Sequence, residues 1–301
     1  MSVLVVDKPV GPTSFAVLRR VRRALVRSRG GAERAPKLGH GGTLDPMASG
    51  VLPVCVGEAT KVVPFLLDAD KEYLATVRFG VETDTLDATG KVVSEKPIGD
   101  MDAVRLEAAL ASFRGEIEQV PPMFSALKHR GQPLYRYARA GLTLERPPRR
   151  VKVHELSPLG FEPPDRVRLR IRCSKGTYIR SLAADLGRQL GVGAHLAELR
   201  RTASGPFVLG QALSLETIDA WVDEGRALPF VSLRDSLAHL PAVTVGEALA
   251  MRLARGQRVG WDEISVENGP VCVLLPPDVV IAVVDRGEQG AVRILRVFNV
   301  G

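Results

Sequence analysis

From Arg166 to Cys173 the chain alternates without interruption: arginine at 166, 168, 170 and 172, with Val167, Leu169, Ile171 and Cys173 between them. Successive side chains of a strand point to opposite faces, so this octet predicts a half-buried strand with an all-arginine open face. The elements around it must supply a core on one side of a sheet. Residues 3–6 read as a short strand, ended by Asp7-Lys8-Pro9 and Gly11-Pro12. Thr13 or Ser14 can cap a helix that carries Phe15, Leu18, Val21, Leu25 and Val26 at three-to-four spacing. Gly30-Gly31 stops it. Residues 76–79 and 91–94 read as strands around a loop at 84–90. Asp102 caps a helix with Val104, Leu106, Leu110 and Phe113, a shorter helix covers 133–141, and another follows Lys175-Gly176 and ends at Gly191.

These strands and helices interleave without regular βαβ spacing. The expectation is an α+β fold, a mixed, largely antiparallel sheet with flanking helices. From about residue 240 the texture changes: a helix over 245–255 precedes short valine-rich strands separated by glycines and Pro276-Pro277. That pattern suggests a small accessory β-barrel. A chain of 301 residues exceeds one ordinary core, and the boundaries expected are 1–235 and 240–301.

Composition narrows the class. With 45% apolar and 25% charged residues the chain is neither disordered, collagenous nor a disulfide scaffold. No apolar run reaches the ~18 residues of a membrane span, and no basic region precedes the first apolar stretch, so a secretory leader is not expected. Three widely spaced cysteines (Cys55, Cys173, Cys272) suit a reduced, cytoplasmic protein. The net charge of +7 is concentrated: residues 19–37 hold Arg19, Arg20, Arg22, Arg23, Arg27, Arg29, Arg34 and Lys37 against Glu33 alone. A polyanion partner is the natural reading, a solvated helix face the bland one.

Nucleotide cradles and metal-hydrolase motifs are absent from the sequence. Ser125-Ala-Leu-Lys128 matches an acylase pattern, but its companion elements are missing. The remaining candidate is Gly39-His-Gly-Gly-Thr-Leu-Asp-Pro-Met-Ala-Ser-Gly50. Read alone, Asp45-Pro46 among glycines is a turn.

This segment nevertheless resembles the catalytic motif of the TruB family of tRNA pseudouridine synthases, Gly-His-x-Gly-x-Leu-Asp-Pro-x-Ala-x-Gly. Asp7-Lys8-Pro9 with Gly11, Gly57 to Lys61, Lys71-Glu72-Tyr73, Thr83 to Gly90, Pro122 to Lys128, Cys173 to Arg180, Gly193 to Leu196 and Leu199-Arg200-Arg201 resemble further blocks of that family in order. The C-terminal segment is more loosely similar to a PUA-type RNA-binding barrel, ending in Arg296-Val297-Phe298-Asn299. The resemblance implies an isomerase that converts a uridine of the tRNA T loop, position 55, to pseudouridine by way of a flipped base, with no cofactor or metal. It implies Asp45 as the nucleophile or base, Arg180 as its charge partner and Tyr73 as a stacking group and proton relay. Tyr178 and Leu199 line the pocket, and His40 stacks in the RNA where the base had been. Arg22 and Arg23, on the basic helix, are expected to position phosphates. Gly41 departs from the threonine often found there. The partner implied is the tRNA T-arm, with a monomer needing no obligate protein partner. The alternatives are a guide-RNA-dependent rRNA-modifying relative and a non-catalytic RNA-binding or RNA-folding protein.

Overall fold

The computed structural model describes residues 2–299 apart from 29, 31–34, 100, 163 and 265–268. Ten strands form one sheet: β1 (Ser2–Lys8), β2 (Leu38–His40), β3 (Ala48–Val56), β4 (Lys71–Phe79), β5 (Gly115–Gln119), β6 (Arg149–Glu162), β7 (Arg166–Cys173), β8 (Ala194–Ser204), β9 (Phe207–Val208) and β10 (Leu213–Ser214). Their order is β10-β1-β3-β8-β4-β7-β6-β5, with β2 on β3 and β9 on β8. Only β1/β10 and β3/β8 pair in parallel, so the expected mixed, largely antiparallel sheet is found.

Strand β7 behaves as its alternation requires. Val167, Leu169, Ile171 and Cys173 are at most 1% exposed, while Arg168, Arg170 and Arg172 are exposed. The apolar row packs under α3 (Ala103–Ala111) and α5 (Ile179–Gln189), through Leu106, Leu110, Leu182 and Leu186. The arginine row meets acids nearby: Arg166 faces Asp165, Arg168 faces Glu162 and Arg172 faces Asp70 at 3.7–3.9 Å.

Helix α1 (Ser14–Arg27) is capped by Thr13, whose side chain accepts the amide of Ala16. Val17, Leu18, Val21, Ala24 and Leu25 are buried against β1, β3 and α6 (Leu215–Asp223). Phe15, expected on this stripe, is instead 66% exposed under the Arg19 guanidinium, because the stripe that meets the sheet is centred on Val17 and Val21. Val104 of α3 is likewise outside the core, at 78% exposure.

The basic face of α1 is divided. Arg20 binds Asp219 and Glu216 at 2.8 and 3.0 Å, and Arg27 binds Asp219 and Asp223 at 2.7 and 3.2 Å, all on α6. Arg22 and Arg23 remain exposed, with no ion pair among the described residues. Arg29, Gly31, Glu33 and Arg34 lie outside the described residues.

The C-terminal segment corrects one expectation. Among the described residues no barrel closes: β11 (Ala242–Thr244), β12 (Val271–Leu275), β13 (Val279–Arg286) and β14 (Val292–Val297) form an open four-stranded sheet in that order. Closure is unnecessary because its two faces are covered otherwise. Helix α7 (Glu247–Ala254) and Trp261 cover one. On the other, Cys272, Leu274, Val280, Val283 and Phe298 join Val3, Val5, Val51, Cys55 and Leu66 in a single apolar cluster. Lys61 also donates to the Val297 carbonyl at 3.0 Å.

Phe298→Ala should therefore weaken both halves of the chain, by about 3–5 kcal/mol. In a Trp261→Phe background the fluorescence of Trp221 on α6 reports urea unfolding of the large unit. Its midpoint is expected to fall; an unchanged midpoint would mean that the two units unfold separately.

Candidate active site

The turn that carries Asp45 is held at every step. The Ser14 hydroxyl donates to the Leu44 carbonyl at 3.0 Å and accepts the Leu44 amide at 2.9 Å. The Gly11 amide donates to the Pro46 carbonyl at 2.8 Å, and the Ala48 amide closes the turn on the Asp45 carbonyl at 3.0 Å. Lys8, fully buried, sends its ammonium to the carbonyls of Ala48 at 2.6 Å, Pro9 at 2.9 Å and Pro46 at 3.4 Å. Burial pulls this lysine down to about 8, against the attraction of Asp45. Arg201, also fully buried, donates to the carbonyls of Gly42 at 3.0 Å and Val51 at 2.7 Å. Gly50, at φ +104°, permits this approach: a Cβ there would lie 2.2 Å from the Arg201 carbonyl oxygen.

Arg180 comes from the first turn of α5. The residue that starts this helix, Tyr178, is gripped by Gln119 of β5, which donates to the Tyr178 carbonyl at 3.1 Å and accepts its amide at 2.9 Å. A cation at the positive end of a helix needs compensation. Arg180 receives it from two carboxylates, Asp45 at 2.9 Å and Asp87 at 3.4 Å. The carbonyls of Thr85 and Phe124 accept its other protons at 3.1 and 2.8 Å. Its side chain is 5% exposed and that of Asp45 37% exposed, so the ion pair presents its carboxylate to the cavity. Burial pushes the Asp45 carboxyl above the ordinary aspartate range; Arg180 opposes that rise and Asp87 adds to it.

Asp45 faces a cavity of about 520 Å³ walled by Leu44, Lys71, Tyr73, Ser125, Tyr178, Arg180, Leu199 and Arg201 among others. That volume suits a small-molecule-sized group. Tyr73 and Leu199 are each 9% exposed. Register puts Tyr73 opposite Ile171, on the buried side of the sheet, so the arginine face of β7 points away from the cavity. Burial raises the hydroxyls of both Tyr73 and Tyr178.

Five of the residues named from sequence, Asp45, Tyr73, Tyr178, Arg180 and Leu199, thus meet around one cavity. His40 does not line it: it pairs with Val54 on the β2 edge, half-buried, with Nδ1 lacking a hydrogen-bond partner. Burial, then Arg201, lowers its pKa. Arg22 and Arg23 stand on α1, outside the cavity wall. Gly41 has a packing reason, since a Cβ there would come within 3.0 Å of Leu66 Cβ and 3.3 Å of Pro53 Cβ.

Three features escaped the sequence reading. Asp87, 4% exposed and fixed by Thr85 and Thr89 at 2.8 and 2.5 Å, lay inside a noted block without a role. Gln119 carries no local signal at all. The third is residues 120–150, which carry Lys128, Arg130, Arg136, Arg139, Arg146, Arg149 and Arg150 against Glu145 alone. This segment, a hairpin and α4 (Leu134–Arg139), supplies Ser125, Ala126 and Leu127 to the cavity wall.

Comparison with known proteins gives consistent relatives. Residues 29–179 match the model of the TruB family pseudouridylate synthase (N terminal domain), and residues 180–238 that of the tRNA pseudouridylate synthase B C-terminal domain. A tRNA pseudouridine synthase B of Chromohalobacter salexigens is 45% identical over 300 residues, covering 99% of this chain and 94% of the relative. One of Cupriavidus pinatubonensis is 48% identical over 270 residues, covering 89% and 83%. Among solved structures, a Cbf5-Nop10-Gar1 complex contains a chain of TM-score 0.77 and 30% identity, covering 99% of this chain and 85% of that one. An H/ACA RNP bound to a substrate RNA containing 2′-deoxyuridine contains one of TM-score 0.72 and 29% identity, covering 99% and 85%.

The electrostatics of the ion pair can be read directly. In a ¹³C-carboxyl NMR titration, with Asp45→Asn for assignment, Asp45 should titrate above ordinary aspartates. In Arg180→Met its midpoint should rise further, because burial and Asp87 then act unopposed by the guanidinium. A midpoint that falls or stays fixed would mean that Arg180 does not hold the charge of Asp45.

Proposed function

Since the chain belongs to the TruB family of pseudouridylate synthases, we infer that it isomerises a uridine of tRNA, position 55 in the T loop, to pseudouridine. The bond from ribose C1′ to N1 breaks, the base turns, and C1′ joins C5. N1 gains a proton and C5 loses one, so atoms and electrons balance without a redox partner. The observation that carries the assignment is Asp45 held by buried Arg180 at the wall of a nucleotide-sized cavity. An ionised, positioned carboxylate is a competent covalent nucleophile. Asp45 attacks C1′ or C6, or takes a ribose proton, and Arg180 keeps it charged. Tyr73 stacks on the base and relays the C5 proton; Tyr178 and Leu199 frame the ring. The base enters flipped, because C5 and N1 are out of reach inside a stack.

His40, on the β2 edge beside the turn rather than in the cavity, suits the role of filling the RNA stack that the base vacates. The basic segment 120–150 and the exposed Arg22 and Arg23 of α1 suit phosphate positioning. We further propose residues 1–235 as the catalytic domain, with 240–301 as a PUA-like RNA-binding accessory. The protein works in the cytoplasm as a monomer without an obligate partner; among the described residues no helix is long and apolar enough to cross a membrane.

The test is pure protein with one unmodified tRNA transcript, mapped for pseudouridine by position. The parent should modify the T loop alone, unaided by guide RNA or other proteins. Asp45→Asn should bind the transcript within a few-fold and yield no product, because the amide keeps shape but not nucleophilicity. Product from a pure Asp45→Asn preparation would sink the assignment.

For the phosphate contacts, Arg20 and Arg27 are already engaged by α6, so the informative variant is Arg22→Gln with Arg23→Gln. It should flatten the slope of log affinity against log salt by about 1.4 to 1.8. Turnover at saturating tRNA should stay near the parent value. An unchanged slope would identify these arginines as a solvated helix face.

A further inference from the structure

Two buried cations of the cavity wall have no part in the roles above. Arg201 of β8 is 1% exposed and stands directly across from Tyr73 of β4, so both side chains share the cavity side of the sheet. Lys71, 7% exposed, lies on the same wall. The site's two carboxylates, Asp45 and Asp87, are both taken by Arg180; among the described residues neither Arg201 nor Lys71 forms an ion pair, although Asp68 and Asp70 attract Lys71. Their hydrogen bonds end on neutral carbonyls: Gly42 and Val51 for Arg201, and Leu66, Leu67 and Ala69 for Lys71 at 3.0, 2.6 and 2.6 Å. Buried charge is costly without a counter-charge, and two like charges side by side cost more. Neutral donors would clamp the same carbonyls without that cost. An anion in the cavity removes the penalty.

We propose that Arg201, with Lys71 on the same wall, is a further catalytic residue, stabilising the negative charge that gathers on the uracil ring while its bond to ribose breaks. The inference rests on the pseudouridine reading, but not on one route. Attack at C6 pushes an electron pair toward O4. Attack at C1′, or loss of a ribose proton, expels the base with the N1–C1′ pair, which spreads over N1, O2 and O4. In each route the ring is anionic before C5 rejoins the sugar, and a fixed cation in a water-poor wall stabilises that state more than the neutral substrate.

The test varies the leaving group. Single-turnover loss of the target nucleotide is measured with two T-arm RNAs, one carrying uridine and one 5-fluorouridine, whose more acidic base bears charge with less help. Arg201→Met should slow the uridine RNA by about 100-fold and the 5-fluorouridine RNA by tenfold or less, with RNA affinity within a few-fold of the parent. Arg201→Lys should recover part of the uridine rate. The comparison is a ratio between two substrates of one preparation, so any loss of folded protein cancels. Equal losses on the two RNAs, with an active parent, would overturn the inference and leave Arg201 a clamp of the Gly42 carbonyl. A parent that consumes neither RNA would instead overturn the pseudouridine reading itself.

Discussion

The guanidinium of Arg180 is the fixed point of this molecule. It joins a carboxylate on the turn before β3, a carboxylate on the loop after β4 and the carbonyls of Thr85 and Phe124, from an origin at the start of α5. Three separate segments, those of Asp45, of Thr85 and Asp87, and of Phe124, therefore converge on one delocalised cation. A lysine in its place would supply the charge but not the planar fork that reaches several acceptors at once. The arrangement also sets the chemistry. Burial pushes the Asp45 carboxyl upward, and the shared cation opposes that rise while leaving one carboxylate edge open to the cavity.

Around that point the backbone is made rigid by hydrogen bonds rather than by a regular element. Lys8, Ser14, Gly11 and Arg201 each bind a main-chain group of residues 42–51. Every contact fixes one more rotation of the turn, so the position of Asp45 is settled before any substrate arrives. Such pre-organisation is what makes a positioned carboxylate effective, since no reorganisation is needed when charge develops. The same economy explains Gly41 and Gly50, where a single added carbon meets Leu66 or the backbone of β8.

The C-terminal unit is bound to this arrangement through its core. Phe298, Cys272 and Val283 share an apolar cluster with β1, β3 and Leu66 of α2 (Val63–Asp68), and Leu66 in turn packs on Gly41 and accepts from Lys71. A continuous packed path leads from the open C-terminal sheet to the cavity wall. An isolated unit of that size rarely supplies a sufficient core; here its second face is completed by residues of β1, β3 and α2.

What the sequence determined by itself was whatever lies within a few residues along the chain. The alternation of 166–173 set a half-buried strand, Thr13 and Asp102 set helix starts, and Gly191 set a helix end. The family blocks identified Asp45, Tyr73, Tyr178, Arg180 and Leu199, and these do meet around one cavity. Tertiary structure alone decided what each of them touches. Asp87 reaches Arg180 across 93 positions of chain, Gln119 grips Tyr178 from 59 away, and α6 neutralises Arg20 from 199 away. Local pattern says which face a side chain takes, because helix and strand periods are properties of the backbone. It does not say which charge or carbonyl will stand opposite, because that depends on strand order and helix docking, which are fixed only when the whole core packs. Hence Phe15 and Val104 fell outside a core that their spacing promised, and Arg201, one residue in a run of charged ones, became a buried cation at the centre of the site.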